Sequence, residues 1–127
     1  MAKGKFYVCR KEGNIVGVIQ EGTGTLECCG EPMQELVPNT TDAAQEKHVP
    51  VIRVDGRLVT VQVGSTLHPM ITEHFIQWIY LETKRGGQRK TLAPGDAPTV
   101  VFALTEDDAP VAAYAYCNLH GLWKAKV

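Results

Sequence analysis

All four histidines of this 127-residue chain follow position 47, and the last stands three residues after a cysteine. Cys117 and His120 bracket two residues between predicted strands, so a tight turn would point both side chains into one site. His68 precedes Pro69, which biases its backbone to an extended conformation. Each possible ligand falls at the end of a predicted element, where side chains from several elements can converge. The candidate metal ligands are His48, His68, His74, Cys117 and His120.

Four imidazoles and one thiolate narrow the choice of metal. Structural zinc sites close at four ligands, and catalytic zinc sites use three protein ligands and water. A blue-copper site uses two histidines, one cysteine and a weak axial methionine, and no methionine follows His120. Iron accepts six ligands, so five protein donors would leave one position open for a small ligand. A cupredoxin-like electron carrier and a structural zinc-binding β domain remain alternatives to such an iron site.

Composition excludes several other classes of function. The 13 lysines and arginines nearly balance the 14 aspartates and glutamates, which leaves a net charge of -1. The field that drives binding to nucleic acid or anionic lipid is therefore missing. No apolar run reaches the ~18 residues that span a bilayer, and the start of the chain lacks the apolar core of a secretion signal. We expect a cytoplasmic protein, in which cysteines are more often metal ligands or reactive thiols than disulfides.

The elements that must position these ligands are predicted to be almost all strands, because short segments rich in β-branched and aromatic residues are bounded by Gly, Pro or Asp. Val59, Val61 and Val63 alternate with polar residues, which is typical of a sheet with one buried face. Asp55-Gly56 predicts a hairpin turn just before them. The predicted strands are Lys5 to Val8, Ile15 to Ile19, Val49 to Val54, Leu58 to Val63, Phe75 to Glu82, Thr99 to Leu104, Val111 to Tyr116 and Gly121 to Lys126.

One short helix and one domain boundary complete the expected organisation. Asp42 is expected to cap a helical turn within Thr41 to Lys47, and Lys84 to Lys90 is interpreted as a solvent-exposed hairpin tip. A Gly-rich stretch with three of the four cysteines precedes the long strands. We therefore expect a small domain at residues 1–37, too short to build much of a core alone, and a second β domain at residues 38–127.

Five separated motifs carry a family resemblance that covers essentially the whole chain. They are Cys28-Cys29-Gly30 with Pro32-Met33, Glu46-Lys47-His48-Val49-Pro50-Val51, Gly64 through His68-Pro69-Met70, His74 with Ile76 and Trp78-Ile79, and Cys117-Asn118-Leu119-His120-Gly121-Leu122-Trp123. In this order the motifs resemble desulfoferrodoxin, the superoxide reductase family of anaerobic and microaerophilic microbes.

The resemblance implies one-electron reduction of superoxide to hydrogen peroxide at a mononuclear iron, with rubredoxin as the usual electron donor. The four histidines would be equatorial ligands and Cys117 the axial thiolate. Glu46 and Lys47 would flank the open sixth position, where Lys47 steers superoxide and Glu46 can bind the ferric iron. The implied fold is an immunoglobulin-like seven-stranded β-sandwich, usually a homodimer, preceded by a small desulforedoxin-like β domain.

The first domain departs from the family pattern. In the two-iron members four cysteines hold a second iron, and two of them form a C-x-x-C pair near the start. Here Glu12 stands where the second cysteine of that pair would be, so only Cys9, Cys28 and Cys29 remain. We therefore expect one iron per chain and no tetrathiolate iron. A three-cysteine site completed by Glu12 is an alternative, because carboxylates bind zinc, and free or disulfide-linked thiols are another.

Overall fold

The computed structural model of the protein describes residues 5–127, and the chain divides into two compact units after Val37. The strands of the first unit are β1 (Phe6–Val8), β2 (Ile15–Gly17), β3 (Glu27–Cys28), β4 (Glu31–Pro32) and β5 (Gln34–Glu35). Here β1 is the central strand of an antiparallel sheet ordered β2-β1-β5, and β3 and β4 form a separate hairpin.

The second unit contains one helical turn and seven strands in two antiparallel sheets. The elements are α1 (Gln45–His48), β6 (Pro50–Asp55), β7 (Leu58–Val63), β8 (Ile76–Thr83), β9 (Gly86–Thr91), β10 (Thr99–Ala103), β11 (Pro110–Cys117) and β12 (Gly121–Lys126). One sheet has the order β10-β7-β6 and the other β12-β11-β8-β9. Among the described residues, no helix combines the length and apolar character needed to cross a membrane.

The core of the second unit lies between its two sheets. Val61 of β7 and Phe102 of β10 belong to the same buried cluster as Ile79 of β8 and Ala115 of β11. These residues are buried because alternate side chains of each strand point to the inner face. Cys117 is part of this cluster and is fully buried. The prediction of an all-β chain with a seven-stranded β-sandwich is confirmed.

The predicted strands are present with ends that differ by at most two residues, but four strands were not predicted. Three of them, β3, β4 and β5, are only two residues long. The fourth corrects the interpretation of Lys84 to Lys90 as a hairpin tip, since Gly86–Thr91 is an edge strand paired with β8 from Trp78 to Thr83. All six of its residues are exposed, so no apolar alternation marks it in the sequence.

The helix and the hairpin turn also differ from prediction in detail. The helix α1 spans only Gln45–His48 and begins after Ala44 without a side-chain cap, so the predicted cap by Asp42 is wrong. The hairpin between β6 and β7 is confirmed, but Asp55 is the last residue of β6 and pairs with Leu58. Gly56, with a φ of 61°, opens the turn, where a positive φ suits glycine.

Candidate metal centre

The structure brings the five predicted ligands together at the ends of elements of the second unit. His74 lies in a tight turn closed by two backbone hydrogen bonds. The His74 N–H donates to the Ile71 carbonyl at 3.0 Å, and the Ile71 N–H donates to the His74 carbonyl at 3.1 Å. Three of the other ligands lie at or next to the end of an element, and His68 lies within the connection from β7 to β8. His48 ends α1, Cys117 ends β11, and His120 lies in the turn between β11 and β12.

The four imidazoles form a ring in the order His48, His68, His74 and His120. The centroids of neighbouring imidazoles are between 4.6 and 5.0 Å apart, and their planes are inclined by 80° to 83°. The centroids of the opposite pair, His48 and His74, are 6.2 Å apart. This arrangement turns ring edges towards a common centre, as a shared ligand position requires.

Backbone carbonyls set the tautomers of two of these imidazoles. The Nδ1 atoms of His48 and His68 lie 2.7 Å from the carbonyl oxygens of Ala44 and Pro69, to which they donate. Each Nε2 then carries a lone pair, yet the two Nε2 atoms are 3.2 Å apart. Burial lowers the pKa of His48 and lowers that of His68 to about 4, which favours the neutral rings. Two facing lone pairs repel unless a cation lies between them.

The other two histidines complete the donor set. Among the described residues, Nε2 of His74 is the one buried side-chain nitrogen or oxygen without a hydrogen-bond partner. Burial, and then the charges of His120 and His48, lower the pKa of His74. The Nδ1 atom of His120 lies 3.1 Å from Nε2 of His48 and 3.9 Å from Sγ of Cys117. A buried ring nitrogen with no hydrogen-bond partner in this cluster fits the role of a metal ligand.

The Cys117 thiol supplies the one anionic donor. Burial raises the pKa of this thiol, whereas hydrogen bonds from the backbone N–H groups of Leu119 and His120 lower it. A metal cation favours the thiolate further. The ligand atoms of Cys117, His48, His74 and His120 all lie within 4.8 Å of one another, and the His68 contact described above links the fifth donor to them. Four neutral nitrogens and one thiolate fit an iron ion with one position left open.

Glu46 and Lys47 precede His48 on α1, and the side chains of both are exposed. The positive charge of Lys47 contributes to the lowered pKa of both His48 and His74, so it acts on this cluster. The backbone carbonyl of Glu46 accepts hydrogen bonds from Thr66 N–H at 2.9 Å and from Ser65 Oγ at 3.2 Å. These bonds fix the backbone of α1 beside the ligands.

Sequence reasoning missed three residues that shape the site. Trp123 is buried with its ring centroid 4.9 Å from that of His48, and its Nε1 donates to the His120 carbonyl at 3.1 Å. Gly64 is essential for close approach, since a Cβ there would lie 2.5 Å from the Glu46 carbonyl oxygen. The side chain of Asn118 is hydrogen-bonded to the backbone on both sides of His74. All three fall inside the family motifs, but their residue types alone indicate only packing or turns.

The comparisons with known proteins agree with this geometry. The Desulfoferrodoxin family pattern matches residues 40–126, and the pattern for the Desulfoferrodoxin N-terminal domain matches residues 2–36. A desulfoferrodoxin of Syntrophotalea carbinolica is 49% identical over 120 residues, which cover 94% of each chain. The superoxide reductase from Treponema pallidum is 41% identical with a TM-score of 0.82, covering 98% of this chain and 100% of that one. A superoxide reductase (1Fe-SOR) from Giardia intestinalis is 32% identical with a TM-score of 0.55, covering 65% of this chain and 97% of its own.

Proposed function

The chain belongs to the desulfoferrodoxin family, and on that premise we propose that it is a superoxide reductase with one mononuclear iron. The observation that carries the proposal is the convergence of four imidazoles and one thiol, with Nε2 of His74 buried and unpartnered. Iron held by these residues would supply the electron for superoxide reduction through its ferrous and ferric states. A blue-copper site would leave two of these histidines unused, and a zinc site would have one donor too many.

The proposed ligands follow from which atoms face the cluster. Nδ1 of His48 and Nδ1 of His68 each donate to a backbone carbonyl oxygen, so the Nε2 atom of each ring is free to bind iron. For His120, Nδ1 is the atom within reach of both an imidazole nitrogen and the thiol sulfur. The proposed set is Nε2 of His48, His68 and His74, Nδ1 of His120 and Sγ of Cys117.

Charge at this site favours an anionic substrate. Ferrous iron with four neutral imidazoles and one thiolate carries a charge of +1, and superoxide is an anion. Lys47 adds a positive charge whose effect reaches His48 and His74. We assign Lys47 the roles of steering superoxide and of orienting water for proton delivery.

Glu46 is proposed as the residue that fills the sixth position after the electron has been transferred. Its backbone is fixed by two hydrogen bonds to its carbonyl oxygen, and its side chain is exposed next to the ligand-bearing end of α1. The ferric site is more positive than the ferrous one by one charge, so a carboxylate binds it more strongly. Glu46 would thus be the residue that holds the sixth position of ferric iron bound at this site.

The reaction consumes one superoxide, one electron and two protons for each hydrogen peroxide, so an electron donor is required. On the basis of the family resemblance, we propose rubredoxin as the donor, a homodimer as the assembly and the cytoplasm as the location. The rate at which reduced rubredoxin reduces the ferric site tests the donor. The mass from sedimentation equilibrium tests the homodimer. Localisation of the tagged chain by cell fractionation tests the third.

The product ratio tests the activity itself. A reductase forms one hydrogen peroxide per superoxide and releases no oxygen, whereas a dismutase forms half as much peroxide and releases half an oxygen per superoxide. We expect the iron-loaded chain, supplied with a reduced donor, to give a peroxide-to-superoxide ratio close to one. The chain without added iron is the matched control and should give the slower spontaneous dismutation. Oxygen release at the dismutase ratio from the iron-loaded chain would refute the proposal.

A further inference from the structure

Three thiols cluster in the first unit and take no part in the iron site. The sulfur atoms of Cys9, Cys28 and Cys29 all lie within 4.8 Å of one another, and all three are free thiols. Among the described residues, this set of mutually close ligand atoms does not include the carboxylate of Glu12. Three sulfurs cannot provide the four-thiolate iron centre of the two-iron relatives.

The spacing of the sulfurs matches a single shared cation. The Sγ atoms of Cys28 and Cys29 are 3.7 Å apart, which is much longer than the ~2.05 Å of a disulfide. A tetrahedral ion with metal–sulfur bonds of about 2.3 Å separates its sulfurs by about 3.8 Å. The two thiols therefore already stand at the distance that such an ion requires.

The backbone around Cys9 is folded to support a thiolate. Gly13, with a φ of 81°, donates its N–H to the Cys9 carbonyl at 2.7 Å, and the Cys9 N–H donates to Asn14 at 2.8 Å. This closed loop points further N–H groups at the sulfur. The Cys9 sulfur receives hydrogen bonds from the Cys28 thiol and from the backbone N–H groups of Glu12 and Lys11.

A hairpin turn presents the other two thiols. Cys28 pairs with Glu31 across the β3–β4 hairpin, so Cys29 and Gly30 form its two-residue loop. Both loop residues have positive φ, 56° for Cys29 and 75° for Gly30. Asn, Asp and Gly are the residues that normally occupy the first of these positions. A cysteine held in this conformation points to a role for its sulfur beyond the turn itself.

Sulfur donors also restrict which ion fits this cluster. Thiolate is the form of cysteine that binds metal, so a divalent ion bound to all three sulfurs would displace their protons. Soft thiolate ligands select ions such as Zn²⁺.

We propose that Cys9, Cys28 and Cys29 bind one divalent ion of the zinc group through three thiolates, with the fourth position held by an exchangeable ligand. Cys29 is exposed, so solvent or a small external ligand reaches that position. The bound ion has no redox chemistry of its own. It would cross-link the β1–β2 loop to the β3–β4 hairpin in a unit too small to bury much apolar surface.

Metal analysis of the whole, iron-loaded chain tests the proposal. The chain is reduced, mixed with Zn²⁺ without oxygen, freed of loose metal by gel filtration and assayed for both metals. We expect about one zinc and one iron per chain in the wild type. Cys29→Ser removes one exposed donor and should weaken zinc binding at least tenfold while leaving the iron in place. Equal zinc uptake by the two proteins, or two irons and no zinc in the wild type, would overturn the proposal.

Cadmium then counts the sulfur donors and probes the fourth position. Cd²⁺ replaces Zn²⁺ and gives ultraviolet sulfur-to-cadmium absorption that grows with the number of thiolates. The increment of Cys29→Ser, measured at saturating Cd²⁺, should be about two-thirds of wild type, and that of Glu12→Cys about four-thirds. Glu12→Ala should match wild type, because the carboxylate is not a ligand. Loss of binding in Glu12→Ala, or equal increments in wild type and Cys29→Ser, would contradict the proposed site.

Discussion

Asn118 and Phe75 are joined by two hydrogen bonds that link the turn between β11 and β12 to the segment that carries His74. The Phe75 N–H donates to Oδ1 of Asn118 at 2.9 Å, and the Asn118 N–H donates to the Phe75 carbonyl at 3.2 Å. The Asn118 amide also donates to the Glu73 carbonyl at 3.1 Å. Both chain neighbours of His74 are thus held by one residue of the turn between β11 and β12.

Replacing Asn118 by Ala should weaken iron binding about 10- to 100-fold, the usual cost of removing a group that orients metal ligands. Two side-chain hydrogen bonds are lost, so His74 is no longer fixed relative to the β11–β12 turn. Iron transfer to a chelator under reducing conditions measures the effect. Asn39→Gly is the matched control, because Asn39 also makes two side-chain bonds, both to Lys124. An unchanged iron affinity in Asn118→Ala would show that His74 is positioned without it.

Gly64→Ala should destabilise the second unit by about 1–3 kcal/mol, the usual cost of forcing extra atoms into a packed site. The new Cβ would lie 2.5 Å from the Glu46 carbonyl oxygen and 2.9 Å from the Lys47 carbonyl carbon, so α1 must shift together with His48. Urea unfolding and iron content measure the two consequences. Gly24→Ala is the control, since nothing lies within 4 Å of its Cβ. Equal stability and iron content in the two variants would refute this account of Gly64.

The parts of the fold that bury an apolar face were predictable, and the parts held by backbone contacts alone were not. The valine alternation in Leu58–Val63 identified β7, and three of its six residues are fully buried. Gly86–Thr91 has no apolar residue, so β9 could be found only from its pairing with β8. The helical turn of α1 was predicted, but its start after Ala44 was not, because no capping side chain marks it.

For the metal site, the sequence predicted which residues come together but not which ring nitrogen of each histidine faces the centre. The motifs indicated four histidines and a cysteine in one site, and the structure brings them together. Which nitrogen of His48 or His68 faces the centre depends on the carbonyl groups of Ala44 and Pro69. A carbonyl belongs to every residue, so no side-chain pattern reveals that choice. Asn118 was missed for a related reason, because its partners are backbone groups.

Cys117→Ser should abolish the sulfur-to-iron charge-transfer absorption of the oxidised protein, because a hydroxyl is a harder and weaker donor than a thiolate. The new side chain is smaller, and its buried hydroxyl can accept the hydrogen bonds that the backbone N–H groups of Leu119 and His120 donate to Cys117, so folding should be retained. The visible spectrum of the iron-loaded variant, with its iron content measured in parallel, checks the result. Survival of the band at equal iron content would mean that Cys117 is not a ligand.

Glu46→Ala should leave superoxide capture nearly unchanged and make the ferric site bind azide more readily. The carboxylate competes with outside anions only once the site is ferric. Spectroscopic titration of the oxidised protein with azide gives the affinity, and Glu106→Ala is a control in which an exposed carboxylate paired with Arg57 is removed. Equal azide affinity in Glu46→Ala and wild type would argue against Glu46 as the sixth ligand.

Lys47→Met should slow the second-order capture of superoxide about tenfold or more, within the ~10 to 10³ range of electrostatic steering. Its charge acts on His48 and His74, and the remaining rate should depend less on ionic strength. Pulse radiolysis across a series of salt concentrations measures both effects. The control is Lys84→Met, because Lys84 follows the far end of β8, roughly 25 Å from the His74 end by strand length. A charge so far beyond the ~8 Å screening length at physiological salt should leave capture unchanged. Wild-type rates for Lys47→Met at low salt would remove Lys47 from the mechanism.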